Sequence, residues 1–266
     1  MITSTSAPMH PGRADGSGPT QPSDPPTGSR MWSSRVIAAL FLAGFLLYGT
    51  GSILVNTVVR GPDFLAGVGS VQTTLAFGAF LMIATAAVDI GKAVIFFPVL
   101  ERHGKRTAVA YLATMIFEMA LMTVGVLALL MIIPLAEQAA TGQLDGDIAQ
   151  GLGSLAVDAN ETAYQIGQLS LAFGALFLAA LLFRTRLVPR WLAALGLVGY
   201  ATHMVGAAAE IFGVPIGLVL LIPGAIFELA LPAWLLTKGF DPAAYDGPPA
   251  SPTIERAGDG GVVDGR

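Results

Sequence analysis

The sequence predicts an all-α integral membrane protein with six transmembrane helices, and three observations lead to this prediction. Hydrophobic residues make up 54% of the 266 residues and charged residues only 12%, whereas about a quarter of a soluble domain is charged. Six apolar runs each exceed 20 residues, the length that crosses about 30 Å of hydrocarbon. The basic residues cluster between alternate runs, as expected for the cytoplasmic loops of a multi-pass protein.

The six apolar runs are bounded by charged residues, Pro or Gly, and together they form one membrane domain over residues 31–240. Runs two and three are long enough to cross the bilayer at a tilt. The predicted spans are 36–59, 72–99, 107–133, 160–183, 191–212 and 214–237.

The segments on either side of this domain, 1–30 and 241–266, are predicted to be disordered cytoplasmic tails. Residues 1–30 are rich in Pro, Gly and Ser, so they cannot bury enough apolar surface to offset the entropy lost on ordering. They also lack the apolar core of a signal peptide.

Charge and tryptophan positions predict the orientation. If the spans alternate, nearly all basic residues fall on one side, which the positive-inside rule assigns to the cytoplasm of a plasma-membrane protein. The other side carries Arg60 and a long acidic loop, 134–159. Trp32, Trp191 and Trp234 fall at the inner interface, where aromatic belts form. The inner basic residues are Arg30, Arg35, Arg102, Lys105, Arg106, Arg184, Arg186, Arg190 and Lys238.

Several chemistries have no support in the sequence. With no cysteine, disulfides, thiolate metal sites and cysteine nucleophiles are excluded. No glycine-rich phosphate-binding loop is present. The chain has three histidines, and only His203 lies within a span, which argues against a histidine-rich metal site. We therefore expect no cofactor, no metal, no catalytic residues and no nucleic-acid partner, and the balance leans against an enzyme.

Polar residues recur at helical spacing within the spans, and such faces normally point towards other helices. Counted at about 1.5 Å per residue from the inner ends, four of them lie near the bilayer midplane and form the candidate site together with Lys92. These four are Asp89, Glu118, His203 and Glu228. A secondary polar face consists of Glu161, Gln165, Gln168 and Glu210, of which Glu161 and Glu210 lie nearer the outer surface.

Asp89 and Lys92 are three residues apart, so they share a helix face and can neutralise one another. This pairing can be purely structural, because each isolated charge would cost about 2.5–3.5 kcal/mol to insert at the membrane centre. Glu118 and Glu228 then remain, with His203 as the only predicted partner. Since a charged carboxylate is costly in hydrocarbon, we expect at least one of them to hold a proton at neutral pH. Such a proton suits a relay, and it equally suits a structural hydrogen bond.

Glu228 lies between Pro223 and Pro232 in IPGAIFELALPAW. Proline has no N–H to bond the carbonyl four residues before it, so Pro232 frees the carbonyl of Glu228. An acid beside a free carbonyl is a candidate cation or proton site, as in the broken helices of transporters. The alternative is an ordinary proline kink repaired by a neighbouring helix.

Two stretches carry a family resemblance: FRTRLVPRWLAALGLVG at 183–199 and ELALPAWLLTKGF at 228–240. Together they resemble the bacterial multi-pass membrane family known as domain of unknown function 4386. The resemblance implies a membrane-embedded helical fold. It implies no reaction, cofactor or catalytic residue.

Two functions remain open. The first is a small proton-linked carrier in which the midplane residues form a relay or binding site, with membrane lipids and a proton or small molecule as partners. It predicts a wet cavity around these residues. The second is a non-transporting structural, sensory or accessory protein whose polar residues only stabilise the bundle, and it predicts a dry interior. The oligomeric state is left open.

Overall fold

The computed structural model describes residues 27–242, with side chains from residue 31 onwards, and these residues contain helices and no strand. Most of the predicted disordered tails, 1–30 and 241–266, lies outside the described residues. Residues 27–30 are an exception to that prediction, because they begin the first helix. The helices are α1 Thr27–Val59, α2 Phe64–Leu130, α3 Ile132–Ala140, α4 Gly146–Thr185, α5 Arg190–Ile211 and α6 Gly217–Thr237.

Five helices of the described chain are long and apolar enough to cross a membrane, where the sequence predicted six. The difference arises because predicted spans two and three belong to one helical run, α2. Large apolar side chains also face outwards along these helices, including Leu46, Phe80 and Leu218, which are 66%, 63% and 79% exposed. An outer surface of this kind is suited to lipid rather than to water.

The α2 run reverses direction at Gly104. This residue leaves the helical region of φ/ψ, and the rings of Phe96 and Tyr111 on either side of it lie 6.3 Å apart. A straight helix would advance about 22 Å between those two positions. We therefore describe α2 as a first arm, residues 64–103, and a second arm, residues 105–130.

The prediction that residues 134–159 form an acidic loop is wrong, because most of this segment is helical. It contains most of α3 and the first part of α4. Asp145 starts α4 as an N-cap, and its carboxylate accepts hydrogen bonds from the backbone N–H groups of Asp147 and Ile148 at 3.0 and 3.2 Å. This cap satisfies backbone donors that the first helical turn leaves free, so the helix begins well before the apolar run.

The buried core consists of two apolar clusters. One contains Ile37, Phe96 and Leu182, and the other contains Val55, Leu75 and Leu129. Along the first arm of α2 the chain passes through the second cluster and then the first, and along the second arm it passes through them in the opposite order. The polar candidate residues of both arms lie between the clusters, at the middle level of the bundle.

The beginning of α1 and the segment after α6 meet at one end of the bundle. The N–H of Phe240 donates to the hydroxyl of Ser34 at 3.4 Å, and the N–H of Asp241 donates to the carbonyl of Leu187 at 3.0 Å. The side chains of Trp191 and Trp234 pack edge to face, with ring centres 6.3 Å apart. The basic segments after α4 and α6 are therefore neighbours at this end.

Candidate functional site

A cavity of about 180 Å³ lies inside the bundle, at the level between the two apolar clusters. Residues from α1, both arms of α2, α4, α5 and α6 contribute to its wall. All five residues of the predicted midplane site line it, so side chains distant in sequence share one space: Asp89, Lys92, Glu118, His203 and Glu228.

Asp89 and Lys92 form an ion pair on the first arm of α2. The Lys92 ammonium donates to Asp89 Oδ1 at 2.6 Å, and the two side chains are 8% (Lys92) and 13% (Asp89) exposed. The ammonium also lies 4.3 Å from the centre of the Phe41 ring. Gly44 of α1 makes room for the pair, because a Cβ atom there would lie 2.6 Å from Asp89 Oδ1. The pair is thus a compact, internally neutral unit on the cavity wall.

Glu228 of α6 has a partner that the sequence analysis did not identify. The hydroxyl of Tyr200 on α5 donates to Glu228 Oε1 at 2.9 Å. The expectation that only His203 could partner the midplane acids is therefore wrong, since a neutral phenol serves one of them. The His203 ring instead stacks beside Tyr200, with ring centres 6.4 Å apart.

Glu118, on the second arm of α2, is the acid without a complete set of partners. It is 2% exposed, and its Oε2 is the one fully buried side-chain oxygen or nitrogen that lacks a hydrogen bond among the described residues. Its side chain packs against Gly167 of α4, where a Cβ atom would lie 3.5 Å from Glu118 Cγ. An unpaired buried oxygen of this kind costs free energy unless a proton or another donor reaches it.

Tyrosines supply most of the aromatic wall. The four tyrosines within residues 27–242 all line the cavity: Tyr48, Tyr111, Tyr164 and Tyr200. Tyr48 of α1 and Tyr164 of α4 are stacked, with ring centres 5.5 Å apart. None of these tyrosines was predicted to belong to the candidate site. The sequence did contain a signal for them. Tyrosines of spanning helices are enriched at the two membrane interfaces, whereas these four tyrosines lie away from the interfaces, which indicates a role inside the bundle.

A second cavity, of about 200 Å³, adjoins the first and shares Tyr164, Gln168, His203 and Leu221 with it. It holds the whole secondary polar face: Glu161, Gln165, Gln168 and Glu210. Glu210 lies at the end of α5, and its carboxylate accepts the Gly217 N–H that opens α6, at 2.8 Å. The second cavity therefore extends from the middle level of the bundle towards the end where α5 and α6 connect.

The two prolines near Glu228 lie inside a continuous α6, which runs from Gly217 to Thr237 through Pro223 and Pro232. A cation site at the Glu228 backbone carbonyl stays a prediction. Among the described residues, no three His, Asp or Glu side chains are grouped closely enough to hold a metal ion.

Comparison with known proteins identifies the family. The model of the family described as "Domain of unknown function (DUF4386)" matches residues 36–239, which includes all the residues that line both cavities. The chain belongs to this family of membrane proteins. No curated protein and no solved structure matches the chain.

Proposed function

We propose that this protein is a small proton-linked carrier in which carboxyl groups of the central cavity load and release protons. The proposal includes six membrane crossings, with both ends of the described chain on the cytoplasmic side of a plasma membrane. The reversal of α2 at Gly104 supports the sixth crossing, and the gathering of basic segments beside α1 and α6 supports the orientation.

The unpaired Oε2 of Glu118 on the cavity wall carries the proposal. Asp89 is neutralised by Lys92, and Glu228 receives the Tyr200 hydroxyl. Glu118 is stable where it lies either as the neutral acid or as a carboxylate beside a bound cation, because an isolated buried charge is too costly. A carboxyl that can occupy two such states beside a cavity is suited to a proton relay.

The second cavity supports a route between this carboxyl and one surface. His203 and Gln168 belong to the walls of both cavities. The imidazole of His203 can pass a proton, and the amide of Gln168 can hold an ordered water that does so. Glu161 and Glu210 then lie on the way to the outer surface. In this arrangement Glu118 and Glu228 bind the proton, while the secondary polar face connects them to solvent.

Proton flux tests the proposal without knowledge of the cargo, because a carboxyl that loads and releases protons also lets some of them cross the membrane when no cargo is bound. The purified chain would be reconstituted into liposomes that contain a pH-sensitive dye, and a valinomycin-imposed potential, negative inside, would drive protons inwards. We expect acidification above that of protein-free liposomes for the native chain, and the protein-free rate for Glu118→Gln and Glu228→Gln, because the amide cannot exchange a proton. Glu101→Gln, which alters an exposed acid at the turn of α2, is the matched control.

Two results would contradict the proposal. One is a native chain that admits protons no faster than protein-free liposomes. The other is full flux in both glutamine variants, which would make these carboxyls structural. The close approach of α5 and α6 favours this alternative of a rigid, non-transporting bundle, because a Cβ atom on Gly199 would lie 2.8 Å from Gly224 Cα. That alternative predicts changes in stability alone.

A further inference from the structure

We infer that the central cavity binds a small organic ammonium ion with an apolar or aromatic group, in exchange for a proton held by Glu118. The inference rests on the proposed proton-linked function and names the class of its cargo. It is carried by the unpaired Glu118 oxygen and the ring of tyrosines on the same wall.

The charges on the cavity wall favour a cation. The wall carries three carboxyl groups but only one lysine, and the ammonium of that lysine already donates to Asp89 at 2.6 Å. Glu228 has one neutral donor, Tyr200. Glu118 Oε2 has none among the described residues, so a positively charged N–H donor would satisfy it with a charge-assisted hydrogen bond.

The rest of the wall favours an organic cation over a metal ion. Calcium and magnesium require about six oxygen ligands, whereas this wall consists largely of aromatic rings and methionines, including Met115, Met119 and Met122. Aromatic faces attract ammonium groups through the negative charge above the ring. The wall already holds one such contact, because the Lys92 ammonium lies 4.3 Å from the Phe41 ring centre. The stacked pair Tyr48–Tyr164 offers further aromatic surface to a ligand.

The exchange balances in protons and charge. A neutral Glu118 carboxyl and an incoming R–NH₃⁺ become a carboxylate–ammonium pair, and the displaced proton leaves for solvent. The cavity thus gains no net charge, which keeps the cost of burying the ligand low. The wall shared with the second cavity, at Gln168 and His203, is the path for that proton.

Calorimetric titration of the full chain in detergent tests the inference, with phenethylammonium chloride as the probe. We expect saturable binding to the native chain and to Glu101→Gln. Binding should be at least about tenfold weaker in Glu118→Gln, which loses the charge that the ammonium pairs with. Repeating the titration in buffers of different ionisation enthalpy should show release of about one proton per ligand from the native chain and none from Glu118→Gln. The anion 3-phenylpropanoate should not bind.

A second pair of variants keeps the test decisive if Glu118→Gln folds poorly. Tyr164→Leu should weaken phenethylammonium binding severalfold because the aromatic face is lost, while Tyr164→Phe, which keeps the ring, should weaken it much less.

The inference is overturned if phenethylammonium does not bind the native chain, or if the anion binds equally well. It is also overturned if binding is indifferent to both Glu118→Gln and Tyr164→Leu. These results are distinct from those of the flux experiment. Proton flux without ammonium binding would refute the cargo class alone, and binding without proton flux would refute the carrier.

Discussion

At the scale of single residues, the contribution of Asp89 and Lys92 to stability depends on the presence of both partners. Removing one partner leaves an unmatched charge in a buried site, which typically costs about 3–5 kcal/mol, whereas replacing both partners is often neutral. We therefore expect Lys92→Met to lower the free energy of unfolding by about that amount, and the double variant Asp89→Asn/Lys92→Met to recover most of it. Denaturant titrations of the purified variants in one detergent measure both values. A Lys92→Met chain as stable as the native chain would contradict this expectation.

At the same scale, only some of the side-chain contacts of the site could be predicted from the sequence. A spacing of three residues places Asp89 and Lys92 on one helix face whatever the fold, so their contact followed from the sequence. The bond between Tyr200 and Glu228 joins residues 28 positions apart, and it depends on how α5 lies against α6. Spacing within one helix carries no information about such a neighbour. The sequence indicated that the midplane acids outnumber their partners, but it did not indicate that Glu118 is the one left unpaired, because that depends on the donors that the other helices place around it.

At the scale of elements, the α5–α6 contact depends on the absence of side chains. A Cβ atom on Gly199 would lie 2.8 Å from Gly224 Cα and 2.9 Å from the Pro223 carbonyl carbon. Because these are backbone atoms, the helices themselves would have to separate. We expect Gly199→Ala to lower the free energy of unfolding by about 1–3 kcal/mol, as overpacking does, and to weaken the bond from Tyr200 to Glu228.

Gly67→Ala is the matched control for this prediction, since it adds the same methyl group to α2 where nothing lies within 4 Å. It should be neutral or slightly stabilising, because alanine is the better helix former. If both alanine variants unfold at the same denaturant concentration as the native chain, the close crossing of α5 and α6 is not a source of stability.

Apolar run length located the five helices that are long and apolar enough to cross a membrane, because the bilayer imposes a minimum length on each span. It failed where helical structure continues beyond the apolar stretch. The start of α4 carries polar residues that made 134–159 resemble a loop, yet the Asp145 cap begins a helix there. The turn between the arms of α2 was predicted as a loop for the same reason. A helix ends where other partners satisfy its terminal N–H and C=O groups and where φ/ψ leaves the helical region. Polar residues alone do not end it.

At the scale of the whole molecule, the polar cavity is held between two apolar clusters. Each cluster packs several helices together at one level, so the middle level can carry unpaired polar groups without the bundle losing its cohesion. The sequence predicted the depth of these groups by counting residues from the helix ends. It left open whether they would converge on a cavity or lie apart, because convergence also requires the order in which helices neighbour one another.

Cysteine labelling tests the proposed crossings and orientation directly. Because the chain contains no cysteine, each introduced cysteine is the only thiol of the protein that can react. Single cysteines would replace four exposed residues, Glu101, Gln143, Phe212 and Thr237, and a membrane-impermeant maleimide would be added to intact cells. Since the positive-inside rule assigns the basic end to the cytoplasm, Gln143→Cys and Phe212→Cys should react at once, and Glu101→Cys and Thr237→Cys only after lysis. Glu101 decides the number of crossings, because it lies at the turn of α2. If Glu101→Cys reacts in intact cells as readily as Gln143→Cys, the two arms do not each cross the membrane.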